Sequence, residues 1–215
     1  MAITNYGELK SELAEWLHHN GAKVTARAAD MILMGESVIN RELRLLDMIA
    51  TQTGVLDTST RTLALPERYA ERITFRLDSP LRNLTYVAPD SLDAHFNEVD
   101  TTGEPKRYTV TDAIEFDRIP DAAYSYTLKY YRGYRLADDI DTNYLLTNYP
   151  QLYLFAAMRY GSIYIRKPEL AMEIEPLLQR EFASLKKAEA KRKGTAEAQL
   201  STEIGRRAGY NIDTD

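Results

Sequence analysis

Apolar residues recur at helical spacing over the first fifty residues of the chain. Between Tyr6 and Leu17 they follow the i, i+4, i+7, i+8 pattern of an amphipathic helix, which Asn20-Gly21 should end. A second helix is predicted to start with Thr25 as its N-cap and to run to about Met48, although Gly35 weakens the helical pattern in its middle. The first stripe comprises Leu9, Leu13, Trp16 and Leu17.

The spacing changes to two between Thr51 and Tyr131, which predicts a β portion. One hairpin should turn at Asp78-Ser79-Pro80, and a second should turn at Thr111-Asp112. The next strand alternates tyrosine and leucine between Tyr124 and Tyr130. We expect the second hairpin and this strand to form a small antiparallel meander with one solvated face, and a short helix to run from Pro89 to near Phe96.

Helical spacing returns after Gly133. The segment from Tyr149 to Ile165 is apolar nearly all round, which predicts the central buried helix. Pro168 should start another helix, which Pro176 should kink or split. The apolar stripe stops after Lys186, and residues 194–215 are too polar to fold alone, so a partner chain is the natural candidate to order them.

These elements predict an α+β fold with three parts. A helical body would comprise residues 1–50 and 142–167, made of the N-terminal helix pair and C-terminal helices. An inserted antiparallel β portion with a short helix would span 51–141. A C-terminal helix and extended arm would span 168–215. The 215 residues suffice for one compact domain or two small ones.

Composition narrows the class of protein. The 44% hydrophobic and 27% charged residues are typical of a soluble globular protein. The absence of cysteine excludes disulfides, thiolate zinc sites and cysteine nucleophiles, and it suits a reducing compartment. We expect neither a signal peptide nor a transmembrane segment. The net charge of -5 disfavours a sequence-reading DNA-binding protein.

The sequence contains no motif that indicates catalysis. Phosphate-binding glycine loops, metal-binding histidine pairs and calcium loops are all missing, so we expect no cofactor, no metal and no catalytic residue. The three histidines lack an orienting partner in the sequence. The acidic cluster Asp138, Asp139 and Asp141 is expected to be a solvated loop that caps the following helix.

Two features favour assembly with a partner instead. Tyrosine is frequent, at 15 residues, and tyrosines are enriched at protein interfaces; Tyr130, Tyr131 and Tyr134 are the candidate interface aromatics. Between Arg166 and Lys193 there are eight basic residues against five acidic ones. This basic segment could dock on an acidic partner or contact nucleic acid.

Several strings also resemble a known family, the head-to-tail adaptor proteins of short-tailed double-stranded DNA phages, also called connector or tail accessory proteins. The similarity covers roughly Ile3 to Ala190. It rests on the order of the following strings: the first-helix residues Tyr6, Leu9, Leu13, Trp16 and Leu17; ESVINRELR at 36–44; LALPERY at 63–69; Gly103-Glu104-Pro105 before Tyr108; Ile119-Pro120; LKYYRGYRLADD at 128–139; and YPQLYLFAAM at 149–158.

The resemblance implies a structural virion protein without enzymatic activity, located at the head-tail junction and in the host cytoplasm during assembly. It would form a ring of twelve copies between the portal protein and a downstream tail or nozzle protein. Genome DNA would pass through the lumen without sequence-specific binding. The alternative is a phage-encoded hydrolase that cleaves cell-wall glycan with paired carboxylates. The candidate portal-docking residues are Leu177, Phe182, Lys186, Lys187, Lys191, Arg192, Lys193, Arg206 and Arg207.

Overall fold

The structure is a computed structural model that describes residues 3–17, 22–95 and 102–208, the side chains of 23, 93–95 and 195–208 excepted. The chain folds into two compact units. The helical unit comprises Met1–Leu46 and Arg135–Asp215, and the β unit comprises Asp47–Tyr134. The unit boundaries therefore fall at 46/47 and 134/135, where the sequence predicted 50/51 and 141/142.

Among the described residues, the helical unit contains five α-helices, and a sixth belongs to the β unit. The predicted first helix and the predicted central helix are both confirmed, to within one residue at each end. The short predicted helix is confirmed as α3. The bounds are α1 Tyr6–Trp16, α2 Ala22–Glu42, α3 Pro89–His95, α4 Tyr144–Asn148, α5 Pro150–Tyr164 and α6 Pro168–Ala208.

Helix α2 differs from its prediction at both ends. It begins at Ala22, so Thr25 lies inside the helix, because buried Val24 extends the apolar stripe one turn earlier. It ends at Glu42 rather than near Met48, because the chain then buries Leu43 and Leu45 at a spacing of two. Residues 18–21, with the predicted Asn20-Gly21 helix end, lie outside the described residues.

Helices α2 and α5 approach each other closely at Gly35. A Cβ atom at this position would lie 3.0 Å from the backbone carbon of Ala156 and 3.0 Å from the backbone nitrogen of Ala157. The glycine that weakened the helical pattern therefore permits the central packing contact. Helix α5 is buried along most of its length, as its composition predicted.

Helix α6 is a single helix that includes Pro176, so the proline does not split it. Proline lacks an N–H, which leaves the carbonyl of Met172 without its usual helical donor. The Met172 side chain is exposed, so water can reach this turn. The backbone remains helical to Ala208, beyond the point near Lys193 where regular structure was expected to end, because Ala, Glu, Gln and Arg dominate this stretch.

The β unit consists of two four-stranded sheets. The first has the strand order β1-β8-β3-β4 and is antiparallel; the second has the order β2-β7-β6-β5, with a parallel β5–β6 pair. The strands are β1 Ile49–Val55, β2 Thr62–Ala64, β3 Tyr69–Asp78, β4 Leu81–Asn83, β5 Thr85–Tyr86, β6 Arg107–Val110, β7 Ala113–Phe116 and β8 Ser125–Arg132.

Side chains from both sheets form the core of the β unit. Phe75 from β3 makes edge-to-face contacts with Tyr108, Phe116 and Tyr126, with ring centroids 5.2–5.6 Å apart. Such contacts stabilise a core beyond the burial of apolar area. Ile73 lies at a register shift between Arg72 and Thr74, and it is exposed although it shares the alternation of Phe75.

Both predicted hairpins are confirmed, but the meander is wrong. Strands β3 and β4 pair across Asp78 and Leu81, and β6 pairs with β7 across Val110 and Ile114. Strand β8, however, pairs with β1 and β3 in the other sheet. The stretch between β7 and β8 is long enough to cross to that sheet. There β8 lies between two strands, and its residues Tyr126, Leu128 and Tyr130 face the shared core.

Among the described helices, none combines the length and the apolar character that a membrane span requires.

Candidate partner-binding surfaces

A buried carboxylate joins three segments of the helical unit. Glu36, which is 2% exposed, accepts a hydrogen bond from the Leu136 backbone N–H at 2.8 Å on Oε1. The Tyr153 hydroxyl donates to the same oxygen at 3.4 Å, and Asn143 Nδ2 donates to the Tyr153 hydroxyl at 2.8 Å. Asn143 also caps α4 by accepting the Leu146 N–H.

This network links three of the sequence strings that carry the family resemblance. Glu36 belongs to the 36–44 string, Leu136 to the 128–139 string and Tyr153 to the 149–158 string. Burying a carboxylate is costly unless hydrogen bonds satisfy it, so the network holds these segments in one arrangement. The sequence signal was an acidic residue on the apolar stripe of α2, between Ile32 and Ile39.

Helix α6 is anchored where the chain leaves the helical unit for the β unit. Glu189, which is 6% exposed, accepts the Leu46 backbone N–H at 2.7 Å. The Lys193 ammonium donates to the Arg44 carbonyl at 2.7 Å, and Lys186 pairs with Glu42 at 2.7 Å. The Lys186 hydrogen bond lowers the pKa of the Glu42 carboxyl below its ordinary value. These contacts hold α6 against the carboxyl end of α2.

The predicted docking cations therefore separate into two groups. Lys186 and Lys193 bind α2 and the turn that follows it, and Arg192 pairs with Glu189 at 3.3 Å. The first group anchors α6 to neighbouring parts of the helical unit. Lys187 and Lys191 have side chains on the accessible surface.

The two apolar residues among the candidate docking residues differ in exposure. Leu177 is 37% exposed, whereas Phe182 is 2% exposed and belongs to the buried stripe of α6. The Phe182 side chain thus stabilises the helical unit and is not accessible to a partner. Arg206 and Arg207 lie on the helical backbone of α6, and their side chains are outside the described set.

The candidate interface tyrosines lie in the β unit. Tyr130 is 6% exposed and stacks on Tyr69 at a centroid distance of 5.7 Å, so it is a core residue. Tyr131 and Tyr134 are half-buried. Only these two keep enough surface for a contact with a partner.

The acidic loop caps a different helix from the one predicted. The backbone carbonyls of Asp141 and Asp139 accept the N–H groups of Tyr6 and Gly7, both at 2.9 Å, at the start of α1. Asn143, not an aspartate, caps the following helix α4. Within the described ranges 3–17, 22–95 and 102–208, no group of three or more metal-ligating residues occurs.

Two grooves of the helical unit are lined partly by exposed apolar side chains. One groove, of 360 Å³, lies between α2 and α5 and is lined by Met31, Met34, Tyr160, Ile163 and Tyr164 together with Arg27 and Asp30. The other, of 430 Å³, lies beside α1 and the start of α5, where Trp16 is 50% exposed.

Fold and surface together define a two-unit α+β protein whose buried polar groups fix its architecture and whose exposed apolar and basic groups suit contacts with other proteins. The family model described as SU10 adaptor protein matches residues 4–203. The chain therefore belongs to the SU10 adaptor protein family, a family of structural phage adaptors that are components of the virion. No curated protein matches the chain.

Proposed function

We propose that this protein forms a ring adaptor between the phage portal and the tail, and that the ring seals and extends the DNA channel. The observation that carries this proposal is the length of α6, whose described buried side chains end at Glu189. A helix of 41 residues is about 60 Å long at 1.5 Å per residue. A compact body of the size of the helical unit is only about 35 Å across, by the usual scaling of size with chain length.

The described side chains of α6 that are buried lie in the first part of the helix. They begin at Ile174 and end at Glu189. A Cβ built at Gly194 meets nothing within 4 Å apart from the neighbouring backbone of its own helix, and the helical backbone continues for fourteen residues to Ala208. A long helix of this kind is a typical means of reaching another protein.

The basic residues of α6 from Lys187 onwards would suit an acidic docking surface on the portal. Lys187 and Lys191 are exposed beside the anchored part of the helix, and Arg206 and Arg207 follow in the segment beyond it. Exposed lysines and arginines speed and orient association with a surface of opposite charge. We therefore assign portal docking to the end of α6, without Phe182.

The β unit suits the remaining roles of such an adaptor. It carries fourteen acidic and ten basic residues, so it supplies most of the net negative charge of the chain. A ring with an acidic lumen would let DNA pass without holding its phosphates. A ring of twelve copies would present twelve β units to a downstream tail or nozzle protein, at the head-tail junction, after assembly in the host cytoplasm. Membership of the adaptor family does not favour the glycan hydrolase alternative.

Truncation after Lys193 tests the role of α6 in portal binding. This end point keeps the contacts of Glu189 with Leu46 and of Lys193 with Arg44, so the helical unit should melt as in the full chain. We expect the truncated protein to lose co-sedimentation with the portal of the same phage. In the full chain, residues 195–208 should gain hydrogen-exchange protection only when the portal is present.

Charge reversal on α6 provides a second test of portal docking, and charge reversal of a lysine on β8 provides its control. Lys187→Glu with Lys191→Glu should weaken portal binding, and Lys129→Glu, an exposed lysine on β8, should not. Undiminished portal binding by the truncated protein would contradict the assignment of docking to α6.

A further inference from the structure

The helical unit has two partly apolar surfaces that no described segment of the chain covers. The first, the α2–α5 groove, exposes 50% of Met34, 59% of Ile163 and 49% of Tyr164. The second, the Trp16 face, presents Trp16 at 50% exposure beside partly buried Ile3, exposed Gln151 and buried Leu154. Large exposed apolar side chains such as those clustered in the groove mark interaction surfaces.

The two surfaces point in different directions. Both include residues of α5, but the Trp16 face uses its first turns and the groove uses its last turns. At 100° per residue, the mean direction of Gln151 and Leu154 lies about 160° around the helix from that of Ile163 and Tyr164. A head-to-tail ring requires two different surfaces on each copy, whereas a two-fold dimer uses one surface twice.

The charges around the two surfaces are complementary. Glu12 lines the Trp16 face, and Glu15 lies next to Trp16 with an exposed side chain. Arg27 lines the α2–α5 groove but pairs there with Asp30 at 2.8 Å, so the basic edge is formed by exposed Arg166 and Lys167, which follow the groove residues at the end of α5. An acidic face with one protruding indole thus fits an apolar groove with a basic edge.

We propose that the α2–α5 groove of one copy binds the Trp16 face of the next copy, with Trp16 in the groove and Glu15 opposite Lys167. This inference rests on the proposed ring and assigns its subunit contact. Each contact would be small, and closure of the ring would make many of them form together.

Disulfide trapping tests this contact directly, because the chain contains no cysteine of its own. We expect the double variant Glu15→Cys with Lys167→Cys to form a ladder of cross-linked species under mild oxidation once the protein has assembled. The control pair Glu15→Cys with Leu81→Cys should give no ladder, since Leu81 is exposed on the β unit and belongs to neither surface. If the control pair gave a ladder and the pair Glu15→Cys with Lys167→Cys gave none, the assignment of the subunit contact would be overturned.

Charge reversal provides a second test in the same assembly assay. Glu15→Lys and Lys167→Glu should each reduce the assembled fraction at least tenfold, and the two substitutions combined should restore much of it. Trp16→Ala and Ile163→Glu should also prevent assembly, while Leu81→Glu should assemble normally, with all variants checked for an unchanged melting temperature.

The outcomes separate this inference from the proposed function. If rings form and all of these variants assemble like the parent, the contact lies elsewhere and the ring proposal stands. If the parent protein forms no ring, with or without the portal, the proposed function itself fails.

Discussion

Replacing Gly35 by alanine tests the central packing of the helical unit. In an exposed helix this substitution stabilises a protein by about 1 kcal/mol, because alanine restricts the unfolded chain and favours the helix. At Gly35, however, the added methyl would lie 3.0 Å from two backbone atoms of α5. Backbone atoms inside a packed helix cannot swing aside as the end of a side chain can.

The expected magnitude follows from these opposing effects. Overpacking a core costs about 1–3 kcal/mol, and the upper part of this range applies where backbone must move. After subtraction of the gain in helix propensity of about 1 kcal/mol, we expect Gly35→Ala to lower the free energy of unfolding by about 1–2 kcal/mol. The whole of α2 would have to shift away from α5 to avoid this loss.

Urea unfolding followed by circular dichroism measures the difference. Gly194→Ala is the matched control, since it is also a helical glycine and the added methyl enters open space. We expect the control to leave the unfolding midpoint unchanged or slightly higher. A Gly35→Ala variant as stable as the control, or more stable than the parent, would refute the close approach of α2 and α5.

Substitutions at three further positions test other parts of the structure. Glu36→Leu removes the acceptor of a buried backbone N–H and should cost about 1–3 kcal/mol, whereas Glu36→Gln keeps an acceptor and should cost less; equal losses in urea would contradict the network. Leu154→Ala should cost about 2–5 kcal/mol in the same assay, and an unchanged midpoint would mean that α5 is not central. Burial raises the pKa of Tyr69 to about 12 from an ordinary value of 10.0, so the unfolded chain releases this proton first and stability should fall as the pH rises from 10 through 12. Tyr69→Phe should reduce that fall, and tyrosinate absorbance of the variant should show one late-titrating group fewer than that of the parent.

The helical spacing of apolar residues was sufficient to predict α1, α5 and the start of α6. These elements bury a continuous stripe within the unit, so local pattern and tertiary packing agree. The carboxyl end of α2 was harder to predict, because it depends on Leu43 and Leu45, which become buried by leaving the helix. The end of α6 was harder to predict, because the composition of the last stretch favours a helix although the apolar stripe stops before it.

The pairing of the strands could not be read from the alternation of residues. Tyr126, Leu128 and Tyr130 predicted one buried face for β8, and that face is buried. Alternation says nothing, however, about which strands flank β8, and its neighbours β1 and β3 are distant in sequence. A core shared by two sheets satisfies the same pattern as a single meander.

The candidate docking residues show the same limit. Charge counting indicated a basic segment at the end of α6, but it could not distinguish Lys193, which binds a carbonyl of the turn after α2, from exposed Lys187. Likewise, Phe182 and Leu177 both count as apolar residues of α6, but Phe182 is buried and Leu177 is exposed. Such assignments depend on contacts between residues more than a hundred positions apart.

The central claim is that this chain is a ring-forming adaptor that joins the portal. Native mass spectrometry of the full chain, alone and mixed with the portal of the same phage, tests this claim most directly. We predict a closed assembly of about twelve copies bound to the portal, in keeping with the preference of homo-oligomers for closed symmetry. A protein that remains monomeric and unbound in the presence of the portal would contradict it.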